Sequence, residues 1–241
     1  MKNVVVLGSG RSGSSLLAGL MNKTHWHGDN LIPPSPANPK GFFEDSTVNH
    51  EINEGILKQT TQRQVPRGHW WLKRLAPGTP LYSTYQQRVL IRKYLQPRPK
   101  PFCLKDPRLS YTFPTWDAYL PSNTVVLVVF RNPGITVSSM RQEIRKAKYL
   151  ANYKHDASYL FGVWEDMYLN ILNHYADSTR PWKFISFDEI LTKAGIEKVV
   201  DAVIADVDRK FPDVKLKRSK PMRYPENLLP LYNKLQELSK K

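Results

Sequence analysis

The hydrophobic pattern divides the chain into short aliphatic runs separated by longer stretches with helical spacing. Residues 4–7 (VVVL) are four aliphatic positions in a row ending at a glycine, the mark of a parallel strand buried on both faces. Behind it, Leu16, Leu17, Leu20 and Met21 recur at helical intervals over residues 14–21, so the chain opens as strand, glycine loop, helix. Residues 31–41 (LIPPSPANPKG) hold too many prolines for an element and predict a loop. Val48, Ile52 and Ile56 then restore helical spacing, whereas residues 59–80 show little periodicity around the pair Trp70 and Trp71, and their form stays open.

The second half alternates more clearly. A helix is expected over residues 81–95, a stiff connector at PRPKP, a short strand over 102–105 and a short helix over 114–119. Residues 124–130 (TVVLVVF) carry the strongest strand signal. Helices over 135–148 and 158–175, a strand over 182–187, a helical stretch over 190–207 broken near Gly195, and a last helix over 225–238 complete the pattern. Strands alternating with helices predict an α/β fold, a single domain over residues 1–241 with a mostly parallel central sheet flanked by helices. The chain shows no internal repeat and no low-complexity tract.

Composition adds a preference for anions. The 241 residues suffice for one α/β core, and 36 Lys and Arg against 21 Asp and Glu give a formal charge of +15. That excess favours anionic ligands or surfaces without choosing among nucleotide, nucleic acid, acidic glycan and membrane, and a basic surface that only aids solubility explains it as well. Cys103 is the one cysteine, which excludes an intrachain disulfide framework and a sulfur metal cluster and predicts a reducing compartment. The start lacks a signal-peptide pattern, and the longest unbroken apolar run, residues 125–130, is far too short to span a bilayer. A soluble cytoplasmic protein without a transmembrane segment is the expectation.

The glycine loop narrows the anion. GSGRSG fits G-x-G-x-x-G through Gly8, Gly10 and Gly13, yet the apolar strand that should lead to an acid about 20 residues on is missing ahead of Asp29. The same residues fit a Walker loop, except that Ser14 stands where that loop has its lysine. Arg11 offers a guanidinium within the loop, and Ser14 and Ser15 open the following helix. The strand 124–130 runs into Arg131, at the edge where open α/β sheets bind ligands, and Ser139 follows eight residues later. Two such points on one edge predict a ligand with two separated phosphates.

GSGRSGSSLL, LKDPRLS and VVFRNPGITVSSMR, in that order, resemble the sulfotransferases that use 3′-phosphoadenosine 5′-phosphosulfate, especially bacterial members with an arginine in the first loop. The resemblance implies a P-loop-like sulfotransferase fold and in-line transfer of a sulfuryl group to a hydroxyl or amine. It implies that Ser12, Gly13, Ser14 and Ser15 cradle the 5′-phosphate, that Arg11 lies beside the sulfate bridge, and that Arg131 and Ser139 hold the 3′-phosphate. Lys105 matches a lysine that stabilises the transferring group, and the basic stretch KLKRSK near the C-terminus, with Arg218 the choice within it, matches a loop over the 3′-phosphate. No metal is required, and His25 and His27 read as ordinary loop residues without a third ligand.

The chain departs from the family at the base. Many small-molecule sulfotransferases have a histidine two residues after the lysine, and here that position is Pro107. Relatives acting on glycans use a glutamate after the first helix, which makes Glu44 the first candidate and Asp106 the second, with Asp45 and His50 close by in sequence. An acidic pair at a helix start also stabilises the helix dipole without any chemistry. Arg108 either orients Asp106 or simply pairs with it. The acceptor class stays open among small molecules, lipids and glycans, and Trp70, Trp71, Tyr82 and Tyr85 suit either acceptor stacking or an aromatic core. A kinase using ATP and magnesium and an anion-binding or nucleic-acid-binding module are the competing classes; the chain has no recognised nucleic-acid motif.

Overall fold

The computed structural model of the chain describes residues 1–35, 38–213 and 219–241. Among them, β1 (Asn3–Leu7), β2 (Cys103–Lys105), β3 (Thr124–Phe130) and β4 (Trp182–Ser186) form one sheet in the order β2-β1-β3-β4, with every pairing parallel. The helices are α1 (Ser14–Leu20), α2 (Glu54–Thr61), α3 (Tyr85–Tyr94), α4 (Leu109–Asp117), α5 (Pro133–Lys146), α6 (Ala157–Asp177), α7 (Phe187–Ile190), α8 (Lys193–Val203) and α9 (Leu229–Ser239). A wide π-type turn over Thr47–Asn53 leads into α2.

The aliphatic runs are two-sided because both faces of the sheet are covered. Val4, Val6, Val125, Leu127 and Val129 pack with Leu17, Leu20, Val199 and Val203 on one face. Val5, Leu7, Val126, Val128 and Phe130 pack with Ile52, Phe113, Trp164 and Leu235 on the other. All seven positions of β3 are buried, which is why that segment reads as an unbroken apolar run. The expected parallel α/β sheet with helices on both sides is what the chain forms.

The strand order places the ligand edge. The chain leaves β1 to build β2 on one side, then crosses to β3 on the other, so β1 and β3 flank the point where direction switches. Crevices at such points, beyond the carboxyl ends of the strands, are where open sheets bind ligands. Leu7 pairs with Val128, so β3 runs on past β1 and carries Arg131 over the mouth of that crevice.

Several element boundaries differ from the sequence pattern, and those of α3, α4 and the break ahead of α8 each have a local reason. α3 begins at Tyr85 rather than near residue 81, because Thr84 and Gln87 cap each other reciprocally. α4 spans Leu109–Asp117 with Pro114 inside it, not residues 114–119. Burial of Leu109, Phe113 and Trp116, each contributing about 1.5–3 kcal/mol, outweighs the roughly 3 kcal/mol lost at an interior proline. The break expected near Gly195 falls at residues 191–192, where α7 ends and the Thr192 hydroxyl accepts from Gly195 N–H at 3.0 Å to start α8. Gly195 is needed for close approach instead, since a Cβ there would lie 2.0 Å from the Glu189 carbonyl oxygen.

The end of α8 leaves a strained residue. Ile204, 61 % exposed, holds φ 53° in the left-handed region, where an L side chain costs about 1–2 kcal/mol and a β-branched one is least at ease. Glycine removes that strain against a smaller loss of backbone entropy. Ile204→Gly is expected to stabilise the fold by about 1 kcal/mol and to raise Tm by about 2–4 °C in thermal unfolding, and a lower Tm contradicts the reading.

Candidate functional site

The glycine loop is clamped from three directions. Gly8 and Gly13 adopt positive φ, and so does Arg11 at 68°. A Cβ on Gly8 would lie 2.4 Å from the Val129 carbonyl oxygen, one on Gly10 would run into the Trp71 ring, and one on Gly13 would strike Phe187. The Ser110 hydroxyl accepts from Gly8 N–H at 3.2 Å and donates to Gly8 C=O at 3.1 Å, while the Ser12 hydroxyl donates to the Ser9 carbonyl at 2.6 Å. Tyr168 O–H donates to Val129 C=O at 2.8 Å, tying the loop's neighbour strand to α6. Ser14 and Ser15 open α1, whose N-terminus carries no side-chain cap. Among the described residues no strand of the sheet follows α1 before β2, so none of them gives the dinucleotide pattern an acidic strand end; Asp29 instead accepts from Trp26 Nε1 at 3.0 Å and faces Arg98.

At the carboxyl end of β2 stands a buried ion pair. Lys105 Nζ donates to a Glu44 carboxylate oxygen, to the Phe42 carbonyl at 3.1 Å and to the Ser15 hydroxyl at 3.0 Å. The other Glu44 oxygen accepts from Asn49 Nδ2 at 2.8 Å. Asp45, not Glu44, serves the helix start, since its carboxylate accepts from the N–H groups of Asn30, Thr47 and Val48. The two members of the acidic pair therefore divide: one caps, and one faces the lysine beside the glycine loop.

Asp106 and Arg108 belong to a second buried network. Asp106 accepts from Asn53 Nδ2 at 2.8 Å and from Arg108 at 2.9 and 3.0 Å, so both its oxygens are engaged. Arg108 also reaches Glu54 Oε1 at 2.7 and 3.0 Å, and its two acidic partners hold its guanidinium charged although burial opposes that charge. His50 Nδ1 stands 3.2 Å from the other Glu54 oxygen.

Arg131 is placed differently. Its residue is 7 % exposed, and neither Nε nor Nη2 has a hydrogen-bond partner among the described residues. The guanidinium carbon lies 4.0 Å over the Phe187 ring. Desolvation brings its pKa down to about 10, Asp188 acting to raise it and Arg11 to lower it further, so the group stays charged at neutral pH. Next to it, Arg11 Nε donates to Ser139 Oγ at 3.2 Å and Arg11 Nη1 lies 3.7 Å from Glu143 Oε2. Burial raises the Glu143 carboxyl above its usual range, with Arg11 opposing.

The structure thus joins Ser139 and Glu143 to Arg11, and Ser15 and Glu44 to Lys105, while Arg131 stacks on Phe187 within electrostatic reach of Arg11. Arg218 lies outside the described residues. Trp70 and Trp71 are buried, Trp70 among Leu57, Tyr111, Val163 and Met167, whereas Tyr82 and Tyr85 are exposed. Sequence reasoning missed Phe187, which joins Gly13 to Arg131, and Glu143 behind Arg11. Glu143 lies four residues after Ser139 on one helix, a spacing that places both on the same face. Among the described residues no group of three His, Cys, Asp or Glu side chains could hold a metal, and no helix is long and apolar enough to cross a membrane.

Two solved structures share this fold. A sulfotransferase from Alicyclobacillus acidocaldarius aligns over 100% of this chain and 96% of its own, at 14% identity and a TM-score of 0.51. The sulfotransferase domain from the curacin biosynthetic pathway aligns over 98% of this chain and 97% of its own, at 17% identity and a TM-score of 0.52. No family model matches the chain, and no curated protein matches it in sequence.

The histidines ahead of the site make stability depend on pH. His25 bonds Lys2 C=O and Thr24, and His27, buried beside Phe43, has its pKa pushed down to about 4 by burial first and by the neighbouring His25 second. A histidine whose folded pKa is below its unfolded value contributes stability above about pH 6.5, and that contribution is lost as pH falls toward 4. His174, also lowered to about 4 by burial, acts in the same window. His27→Leu is expected to reduce the loss of stability between pH 6.5 and 4 by about 3 kcal/mol in urea unfolding, with His174 accounting for a remaining slope. An unchanged pH profile contradicts the assignment.

Proposed function

We propose that the chain is a sulfotransferase domain over residues 1–241, moving a sulfuryl group from 3′-phosphoadenosine 5′-phosphosulfate to a hydroxyl or amine of an acceptor. The observation that carries this reading is the Arg131 guanidinium, buried and charged with two nitrogens unpartnered among the described residues, beside a glycine loop that has Arg11 and no Walker lysine. A buried cation with free donors is costly unless an anion completes it. Its place across the switch point from Ser15 and Lys105 supports a donor with two separated phosphates.

In this reading Ser12, Gly13, Ser14 and Ser15 cradle the 5′-phosphate, and Arg131, Ser139 and Arg218 hold the 3′-phosphate. Glu44 takes the proton of the acceptor as its oxygen attacks sulfur in line, and the bond from sulfur to the bridging oxygen breaks. Lys105 and Arg11 face the negative charge that grows on that oxygen, and adenosine 3′,5′-bisphosphate leaves. Lys105 is already fixed by Ser15, Phe42 and Glu44, so its charge needs little reorganisation during the reaction. Asp106, held by Asn53 and Arg108, is the second candidate for the base and is better placed to support the loop that carries Lys105. The chemistry invokes no metal and no specific nucleic acid. A cytoplasmic setting agrees with the single, buried Cys103.

Adenosine 3′,5′-bisphosphate is expected to raise Tm at concentrations where ATP with magnesium does not, because a ligand bound only by the native state must stabilise it. Stabilisation by ATP with magnesium alone sinks the proposal. Arg131→Ala should weaken the bisphosphate about 10- to 100-fold and adenosine 5′-monophosphate much less, as charged hydrogen bonds contribute about 1.5–3 kcal/mol each. Equal losses for both nucleotides would remove Arg131 from the 3′-phosphate site.

Glu44→Gln keeps an acceptor for Lys105 and is expected to leave bisphosphate affinity intact while turnover falls about 10²- to 10⁴-fold. Unchanged turnover, measured by release of adenosine 3′,5′-bisphosphate with an active acceptor, excludes Glu44 as the base.

A further inference from the structure

The Arg11 side chain is received by α5. Arg11 stands third in the four-residue turn over residues 9–12, which Ser12 N–H closes on Ser9 C=O at 3.2 Å, and its φ of 68° is one that glycine takes without strain and an L side chain does not. A residue held in strained backbone points to a side chain that is needed where it stands. Two residues one turn apart on α5 meet that side chain: Ser139 Oγ accepts from Arg11 Nε at 3.2 Å, and Glu143 Oε2 lies 3.7 Å from Arg11 Nη1.

Glu143 differs from the other buried carboxylates of this edge. Glu44, Glu54 and Asp106 each meet their cation through hydrogen bonds. Glu143 Oε2 has no hydrogen-bond partner among the described residues, and 3.7 Å is too long for one, so its contact with Arg11 is one of charge alone. Burial without a hydrogen bond costs that oxygen free energy, and it raises the carboxyl above its usual range while Arg11 opposes the rise.

Exposure orders the two groups. The Glu143 side chain is 4 % exposed and that of Arg11 25 %, so the carboxylate lies on the closed side of the guanidinium and solvent reaches the cation. An anion arriving from solvent meets Arg11 first, with Glu143 behind it. A charge contact without a hydrogen bond aims a guanidinium yet lets it turn toward a stronger anion, unlike the two hydrogen bonds of 2.7 and 3.0 Å by which Arg108 is tied to Glu54.

We propose that Glu143 is a positioning residue for Arg11, aiming its guanidinium from α5 and competing with the donor's sulfate for its charge. The inference rests on the sulfotransferase reading and adds to it what directs the loop's cation. Binding that is equally strong in the ground and transition states raises affinity without raising rate. A carboxylate behind the cation weakens its grip on the donor, and the grip tightens as negative charge builds on the bridging oxygen.

The test uses the full chain with 3′-phosphoadenosine 5′-phosphosulfate as probe. Calorimetry without acceptor gives donor affinity, and turnover is followed with water as acceptor, which yields adenosine 3′,5′-bisphosphate, sulfate and protons. Glu143→Gln is expected to bind the donor about 3- to 10-fold more tightly and to turn it over about 10-fold more slowly, so that KM and kcat fall together, a pattern that structural damage does not produce. Glu143→Asp keeps the charge and should lie between the two, and it replaces the glutamine variant if that one unfolds early. In an Arg11→Ala chain, Glu143→Gln should change neither quantity further. Affinity and turnover both unchanged in Glu143→Gln, affinity falling along with turnover, or an effect that persists without Arg11 overturns the inference and leaves the sulfotransferase reading standing. Failure of the wild-type chain to bind the donor counts against that reading and takes the inference with it.

Discussion

The edge of the sheet is organised around the burial of positive charge, and Arg131 is its limiting case. Lys105 has Glu44, Arg108 has Glu54 and Asp106, and each pair replaces lost water with directed hydrogen bonds. Arg131 receives the Phe187 ring face and the distant pull of Asp188, yet two of its nitrogens find no acceptor among the described residues. An unsatisfied buried donor costs about 1–3 kcal/mol, more when it is charged, and the surrounding core must hold the guanidinium there regardless. The fully buried β3 does this by fixing the backbone one residue before it.

That arrangement explains why the loop is so constrained. Phe187 stacks under Arg131 and also closes against Gly13, so the shape of the first loop and the position of the second cation depend on one ring. Trp71 fills the space beside Gly10 in the same way, linking the loop to the short turn Trp70–Leu72. The loop's glycines answer to these neighbours and to the Val129 carbonyl rather than to a dinucleotide.

Much of this was legible in the sequence, and the parts that were not share a physical cause. The strands were visible because burial on both faces leaves no polar positions, and the place of Arg131 at the end of β3 was visible because that run leads straight into it. Glu44 and Asp45 are adjacent and chemically alike, so only the folded backbone separates the carboxylate that caps Thr47 and Val48 from the one that meets Lys105. Pairs such as Arg108 with Glu54 join segments 54 residues apart, a relation that local spacing does not carry. The helix at Leu109–Asp117 was misplaced because Pro114 signals a start when read locally, whereas its tertiary contacts keep it inside.

The glycine loop cannot take its final form alone. Gly8 binds Ser110 and Ser9 N–H faces the Tyr168 hydroxyl, partners that are 102 and 159 residues further along. At about 5–20 residues per second, roughly ten to thirty seconds separate synthesis of the loop from arrival of Tyr168. Over that interval the nascent chain carries an unclamped, cationic glycine loop, which is fastened only when α6 docks.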